Sequence, residues 1–135
     1  MKTQALELLK IHSIDNLGTG TSEDEFLKLE EKLNVVIPNE YRIFLKEIGY
    51  AEIYGDEIYG DEIYSVYGSE DIPCLGIYYQ NKEKKDIEKG LLKFFSNDLD
   101  GQFYIDLKNG EIFLNSIENL FAKSFNEFLT KMLNE

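Results

Sequence analysis

Residues 91–114 read LLKFFSNDLDGQFYIDLKNGEIFL. Three short apolar and aromatic runs stand out: Leu91-Leu92-Lys93-Phe94-Phe95, Phe103-Tyr104-Ile105-Asp106-Leu107 and Glu111-Ile112-Phe113-Leu114. Asn97-Asp98 and Lys108-Asn109-Gly110 separate them, and Asn115-Ser116 closes the last. Runs of this length and composition between turn formers read as antiparallel strands. Asn109-Gly110 favours positive φ at both central positions of a turn, so the last two runs are expected to form a hairpin.

On either side of this meander the apolar spacing becomes helical. Ser22-Glu23-Asp24-Glu25 has the form of a capping box, in which the Ser22 hydroxyl accepts from the Glu25 amide and the Glu25 carboxylate returns to the Ser22 amide. Phe26, Leu29 and Leu33 then make one stripe, ending near Asn34. Pro38 fixes φ at a first helical position, Tyr41, Phe44, Leu45 and Ile48 face inward, and Gly49 stops the helix. A second box, Ser124-Phe125-Asn126-Glu127, opens a last helix with Phe125, Phe128, Leu129 and Met132 on one face. Thr3 to Ile11 carries the weakest helical signal and reads as a helix or a docking arm. Helices, then a meander, then a helix, without βαβ alternation, define an α+β fold.

The chain of 135 residues is expected to form a single domain over 1–135. Its 43% hydrophobic content, nine Phe, nine Tyr and only two Pro supply enough apolar surface to offset the entropy of ordering. Cys74 is the only cysteine, which excludes an intrachain disulfide and a cysteine-held zinc and suits a reducing compartment. The opening MKTQALELLK has no apolar stretch before a cleavage site, and nowhere do 18 apolar residues run together. The expected location is the cytoplasm, with no membrane partner.

Fourteen basic and 26 acidic residues give a net charge of −12. Between Glu47 and Asn81 there are eight acids and no Lys or Arg, so most of the excess lies in one segment. Such a field repels nucleic acid and anionic lipid and speeds encounter with basic partners. An acidic surface also serves plain solubility.

That segment contains a stutter, YAEIYGDEIYGDEIYSVY at residues 50–67, in which Ile-Tyr-Gly-Asp-Glu occurs twice before a third Ile-Tyr. In one continuous strand the five-residue repeat would put Ile53 and Ile58 on opposite faces. Alternatively Gly55-Asp56 and Gly60-Asp61 are turns with Gly first, or a glycine bulge restores the facing. Each arrangement leaves some Tyr and carboxylate side chains facing solvent. Exposed Tyr beside carboxylates suits protein recognition, because Tyr offers large contact area with little rotamer entropy to lose. A neutral tandem duplication at a sheet edge carries nearly equal weight.

Catalytic and metal chemistry find little support in the sequence. His12 is the only histidine, sits near an apolar helix face and reads as structural. Cys74 in Ile-Pro-Cys-Leu-Gly reads as a small buried residue. The run Ser96-Asn97-Asp98-Leu99-Asp100-Gly101 superficially resembles a calcium loop, but Ser96 stands first and Leu107 twelfth, where a bidentate Glu is needed. Asp98 and Asp100 read as turn formers. Gly18-Thr19-Gly20 lacks the further Gly and Lys of a phosphate loop. Lys82-Glu83-Lys84-Lys85-Asp86 alternates too much for a nucleic-acid patch. No cofactor and no catalytic residue is expected.

The pattern Leu29-Glu30-x-x-Leu33-Asn34-Val35-x-Ile37-Pro38-x-x-Tyr41-x-x-Phe44-Leu45-x-x-x-Gly49 resembles the N-terminal signature of the SUKH superfamily. Its members include bacterial immunity proteins and fungal cell-wall assembly regulators. Ile37 and Ile48-Gly49 stand where the family usually has Leu and Asn-Gly. The Gly49 to Gly60 region, the Phe94 to Leu107 strands and Ser124-Phe125-x-x-Phe128-Leu129 also look like family landmarks, so the likeness covers about residues 22–133. It implies a central antiparallel sheet with flanking helices and a non-enzymatic role as antidote to a polymorphic toxin. A basic nuclease domain would be the cognate partner, its active site covered. The contact surface expected on this basis is Tyr54, Asp56, Glu57, Tyr59, Asp61, Glu62 and Tyr64, with Glu70 and Asp71 at its margin. Two rivals are a regulatory or scaffold module for an endogenous partner and, less favoured, an enzyme using Asp98, Asp100 and Asp106.

Overall fold

The computed structural model of the chain describes residues 4–14, 17–60 and 76–134. In chain order its elements begin with α1 (Gln4–His12), α2 (Glu23–Leu33), α3 (Asn39–Glu47), β1 (Ala51–Ile53) and β2 (Asp56–Ile58). There follow α4 (Ile77–Asn81), a 3-10 turn at Ile87–Lys89, β3 (Leu91–Asn97), β4 (Gly101–Asp106), β5 (Ile112–Leu114), β6 (Leu120–Ala122) and α5 (Phe125–Leu133). Strands β3 to β6 form an antiparallel meander in sequential order, and β1 and β2 form a separate antiparallel pair. The fold is α+β, as the order of patterns implies.

The register of β3 determines where the core lies. Lys93 pairs with Tyr104 and Phe95 with Phe103, so Phe94 is an extra, bulged residue. The bulge breaks the two-residue alternation and buries Phe94 and Phe95 alike. Phe94 packs against Tyr41 of α3 and Phe125 of α5, and Phe95 against Phe103. Phe128 touches both, with ring centroids 4.9 and 5.7 Å away. Helices α3 and α5 thus cover one face of the sheet with a continuous aromatic layer, whose offset and edge contacts are the favoured geometries for π-systems.

Both serine boxes cap their helices. Ser22 Oγ accepts from the Glu25 amide at 3.2 Å and Ser124 Oγ from the Glu127 amide at 3.1 Å. In the first box the Glu25 carboxylate accepts a hydrogen bond from the Ser22 hydroxyl, at 3.0 Å, where the sequence suggested the backbone amide as donor. Asn34 closes α2 with φ 57°. Pro38 is the N-cap of α3, one position earlier than its spacing implied. The N-terminal helix is more than an arm: Ala5, Leu6 and Leu9 are buried in the core, and α1 packs on α5.

Two expectations are corrected in the meander. The β4–β5 connection is a five-residue loop, residues 107–111, in which only Gly110 of the Asn109-Gly110 pair has positive φ. Asp106 is the reason: its Oδ1 accepts the amides of Lys108 and Asn109, and its carbonyl accepts that of Gly110. Strand β6, which the sequence pattern did not signal, pairs with β5 across Ile112↔Ala122 and Phe113↔Leu120.

Candidate partner-binding surface

The first copy of the repeated pentapeptide makes a tight hairpin. Ala51 pairs with Ile58, Glu52 with Glu57 and Ile53 with Asp56, leaving Tyr54-Gly55 as a two-residue turn. Their φ angles are 50° and 90°, the signature of a type I′ turn. Gly55 therefore stands second in the turn, whereas the turn reading of the sequence placed Gly55-Asp56 there. Tyr54 takes the left-handed conformation that non-glycine residues disfavour. His12 supports it: Nε2 accepts the Tyr54 amide at 3.1 Å, and the two rings meet edge-on with centroids 4.6 Å apart.

The described part of the second copy, Ile58-Tyr59-Gly60, is built into the core although its sequence repeats that of Ile53-Tyr54-Gly55. Ile58 ends β2, and the Tyr59 amide donates to the carbonyl of bulged Phe94 at 2.9 Å. The Tyr59 carbonyl accepts from the buried Tyr41 hydroxyl, and its own hydroxyl shares a hydrogen bond with Ser96 Oγ at 2.9 Å. Gly60 lies so close to the Gly49 carbonyl that a Cβ would sit 1.9 Å from its oxygen.

The residues expected to face a partner are accordingly divided. Tyr54 is 63% exposed and Asp56 half-buried, whereas Glu57 and Tyr59 are buried. Asp61, Glu62, Tyr64, Glu70 and Asp71, like Cys74, lie outside the described residues. Glu57 faces Glu52 across the hairpin, and its Oε2 has no hydrogen-bond partner among the described residues. Burial pushes the Glu57 carboxyl up to about 7, with the Glu52 charge adding to the shift and the Tyr50 hydroxyl opposing it. That hydroxyl donates to Glu52 Oε2 at 2.5 Å, and burial holds it well above the usual tyrosine range. Asp56 is raised too, by burial first and then by the charges of Asp98 and Glu52.

The β3–β4 turn stands opposite. Asn97 Oδ1 accepts the amides of Asp100 and Gly101 at 2.6 and 3.3 Å, and its Nδ2 donates to Asp100 Oδ2 at 3.1 Å. Asp98 and Asp100 are turn residues, as their sequence context implied. Between this turn and the hairpin runs a cleft of about 470 Å³. Asp98 and Leu99 were missed as neighbours of Asp56, because 42 residues separate Asp56 from Asp98, and Glu52 was missed because the sequence left the hairpin register open. The one available signal was Leu99, a large apolar residue between two acids in a turn. Among the described residues no group of three or more His, Cys, Asp or Glu could hold a metal, and no helix is long and apolar enough to cross a membrane.

A four-stranded antiparallel meander covered by helices, extended by a small acidic hairpin, defines an α+β domain whose polar groups are spread over a surface. The chain belongs to the SMI1/KNR4 family (SUKH-1), whose model matches residues 20–131. That span nearly coincides with the one over which the sequence resembled the superfamily. No curated protein matches the chain.

Proposed function

We propose that this protein is an immunity protein that binds a cognate polymorphic toxin domain, a nuclease with a basic substrate channel, and neutralises it by covering its active site. Membership of the SUKH-1 family supports the reading, and the observation that carries it is the hairpin apex. Tyr54 projects from a turn held by His12, so a large aromatic anchor meets its partner with little freedom left to lose. Asp56 beside it, Glu52 on the adjoining strand and the −12 net charge would steer a basic domain towards this face. Asp61, Glu62, Tyr64, Glu70 and Asp71 belong to the proposed surface on residue type and charge alone. Glu57 and Tyr59, being buried, would act by shaping the hairpin that carries Tyr54 and Asp56.

Co-expression with any polymorphic-toxin C-terminal domain found encoded beside this gene is the test. Restored growth together with co-purification of a stable complex is the expected result. Neither, with the toxin demonstrably active, overturns the reading and favours a regulatory scaffold.

A further inference from the structure

The cleft between the hairpin and the β3–β4 turn is mainly apolar, with carboxylates at its rim. Ile53, Tyr54, Leu99 and Met132 form its apolar walls, and Asp56, Asp98 and Asp100 also line it. Leu99 is 91% exposed and Tyr54 63%, so large apolar groups from two separate elements stand open to solvent around one recess. None of the described residues lining it is basic. Burial and the nearby Asp98 charge both disfavour the ionised Asp56, and none of the described lining residues carries a positive charge to offset this. Both walls are set in advance, one by the Asn97 hydrogen bonds and the other by the His12 contact.

We infer that this cleft receives an arginine or lysine side chain of a protein partner, its aliphatic stem along Leu99, Ile53 and Tyr54 and its cation among Asp56, Asp98 and Asp100. Charge complementarity selects this occupant. A basic side chain joins an apolar stem to a charged head, the same combination that the cleft presents in negative. An apolar side chain would leave the carboxylates facing a desolvated surface, and a small hydrated cation would make no use of Leu99 or Met132. The inference rests on the hairpin being the partner-facing surface and adds what that surface recognises.

The probe is the blocked peptide acetyl-Ala-Leu-Arg-Leu-Ala-amide, titrated against the ¹⁵N-labelled full chain. Amide shifts should concentrate at Tyr54, Asp56, Asp98 and Leu99. The same peptide with norleucine or glutamate for arginine should bind about tenfold more weakly or not at all, as should arginine peptide with the variant Asp98→Asn/Leu99→Ser. Shifts elsewhere, no shifts, equal binding of the norleucine peptide, or putrescine or Mg²⁺ acting on the same amides as strongly would each overturn it. The double variant changes an exposed turn, and a thermal midpoint within a few degrees of wild type confirms that it is folded. In the co-expression assay it should lose rescue. If wild type and variant rescue equally, the cleft inference falls and the immunity reading stands. If wild type fails to rescue, the immunity reading falls and the peptide titration alone decides the cleft.

Discussion

His12 Nε2 accepts the amide proton of Tyr54 across 42 residues of sequence, tying the end of α1 to the apex of the β1–β2 hairpin. A left-handed tyrosine costs about 1 kcal/mol relative to glycine, and this bond with the edge-on ring contact offsets part of that cost. His12→Ala should therefore destabilise the protein by about 1 kcal/mol in urea unfolding. Hydrogen exchange at the Tyr54 amide should accelerate more than at Ile58, the end of the same hairpin. Unchanged exchange at Tyr54 would show that the turn holds itself.

The buried Glu57 carboxyl makes stability depend on pH in the direction opposite to an ion-paired acid. Its pKa is about 7 in the folded protein against 4.5 for the ordinary side chain, so the folded state prefers the neutral form. That contribution is fully present below pH 4.5 and is lost as pH rises through 7. Discounted for partial solvent screening, the loss is about 1–2 kcal/mol. Glu57→Gln should be neutral to slightly destabilising at pH 4.5 and stabilising by about that amount at pH 8, measured by urea midpoints. An identical pH slope in the two proteins would place the titration elsewhere.

Gly55 and Gly60 occupy the same position in two identical pentapeptides, yet alanine should affect them differently. At Gly55 a Cβ meets nothing within 4 Å, and the only penalty is the positive φ, about 1 kcal/mol. At Gly60 it would overlap the Gly49 carbonyl, which cannot move without disturbing the end of α3. Gly60→Ala should cost more than about 3 kcal/mol or prevent folding, as backbone overpacking does. Equal melting temperatures for the two variants would refute the division of the repeat into a turn and a core segment.

The same pair shows what can be read from the chain. Helix starts were legible because a cap is local: Ser22 and Glu25, or Ser124 and Glu127, need only each other. The buried stripes of α2, α3 and α5 follow from periodicity alone. The repeat was not legible, because the different fates of its copies are set by distant groups. His12 receives the first tyrosine, while Tyr41, Phe94 and Ser96 hold the second. The bulge at Phe94 is of the same kind, its freed carbonyl serving the Tyr59 amide 35 residues earlier. Likewise the candidate surface was visible as acidic and tyrosine-rich, but its cleft exists only once the β3–β4 turn folds against the hairpin.

Charge and anchor should separate kinetically at this surface. Asp56 is half-buried beside the exposed turn, so Asp56→Lys reverses a charge without burying an ammonium deep in the core, whereas Glu57→Lys would do so. Against the cognate toxin domain proposed above, Asp56→Lys should slow association about three- to tenfold at low salt. The difference should shrink towards nothing near 0.5 M salt, where the screening length is only about 4 Å. Tyr54→Ala should leave association nearly unchanged and speed dissociation at least tenfold, the behaviour of a central aromatic anchor. Because Asp56 also lines the cleft inferred to hold the partner's cation, Asp56→Lys should speed dissociation as well; an effect confined to association would leave Asp56 a steering charge outside the cleft contact. If neither variant changes either rate, the partner docks elsewhere on the chain.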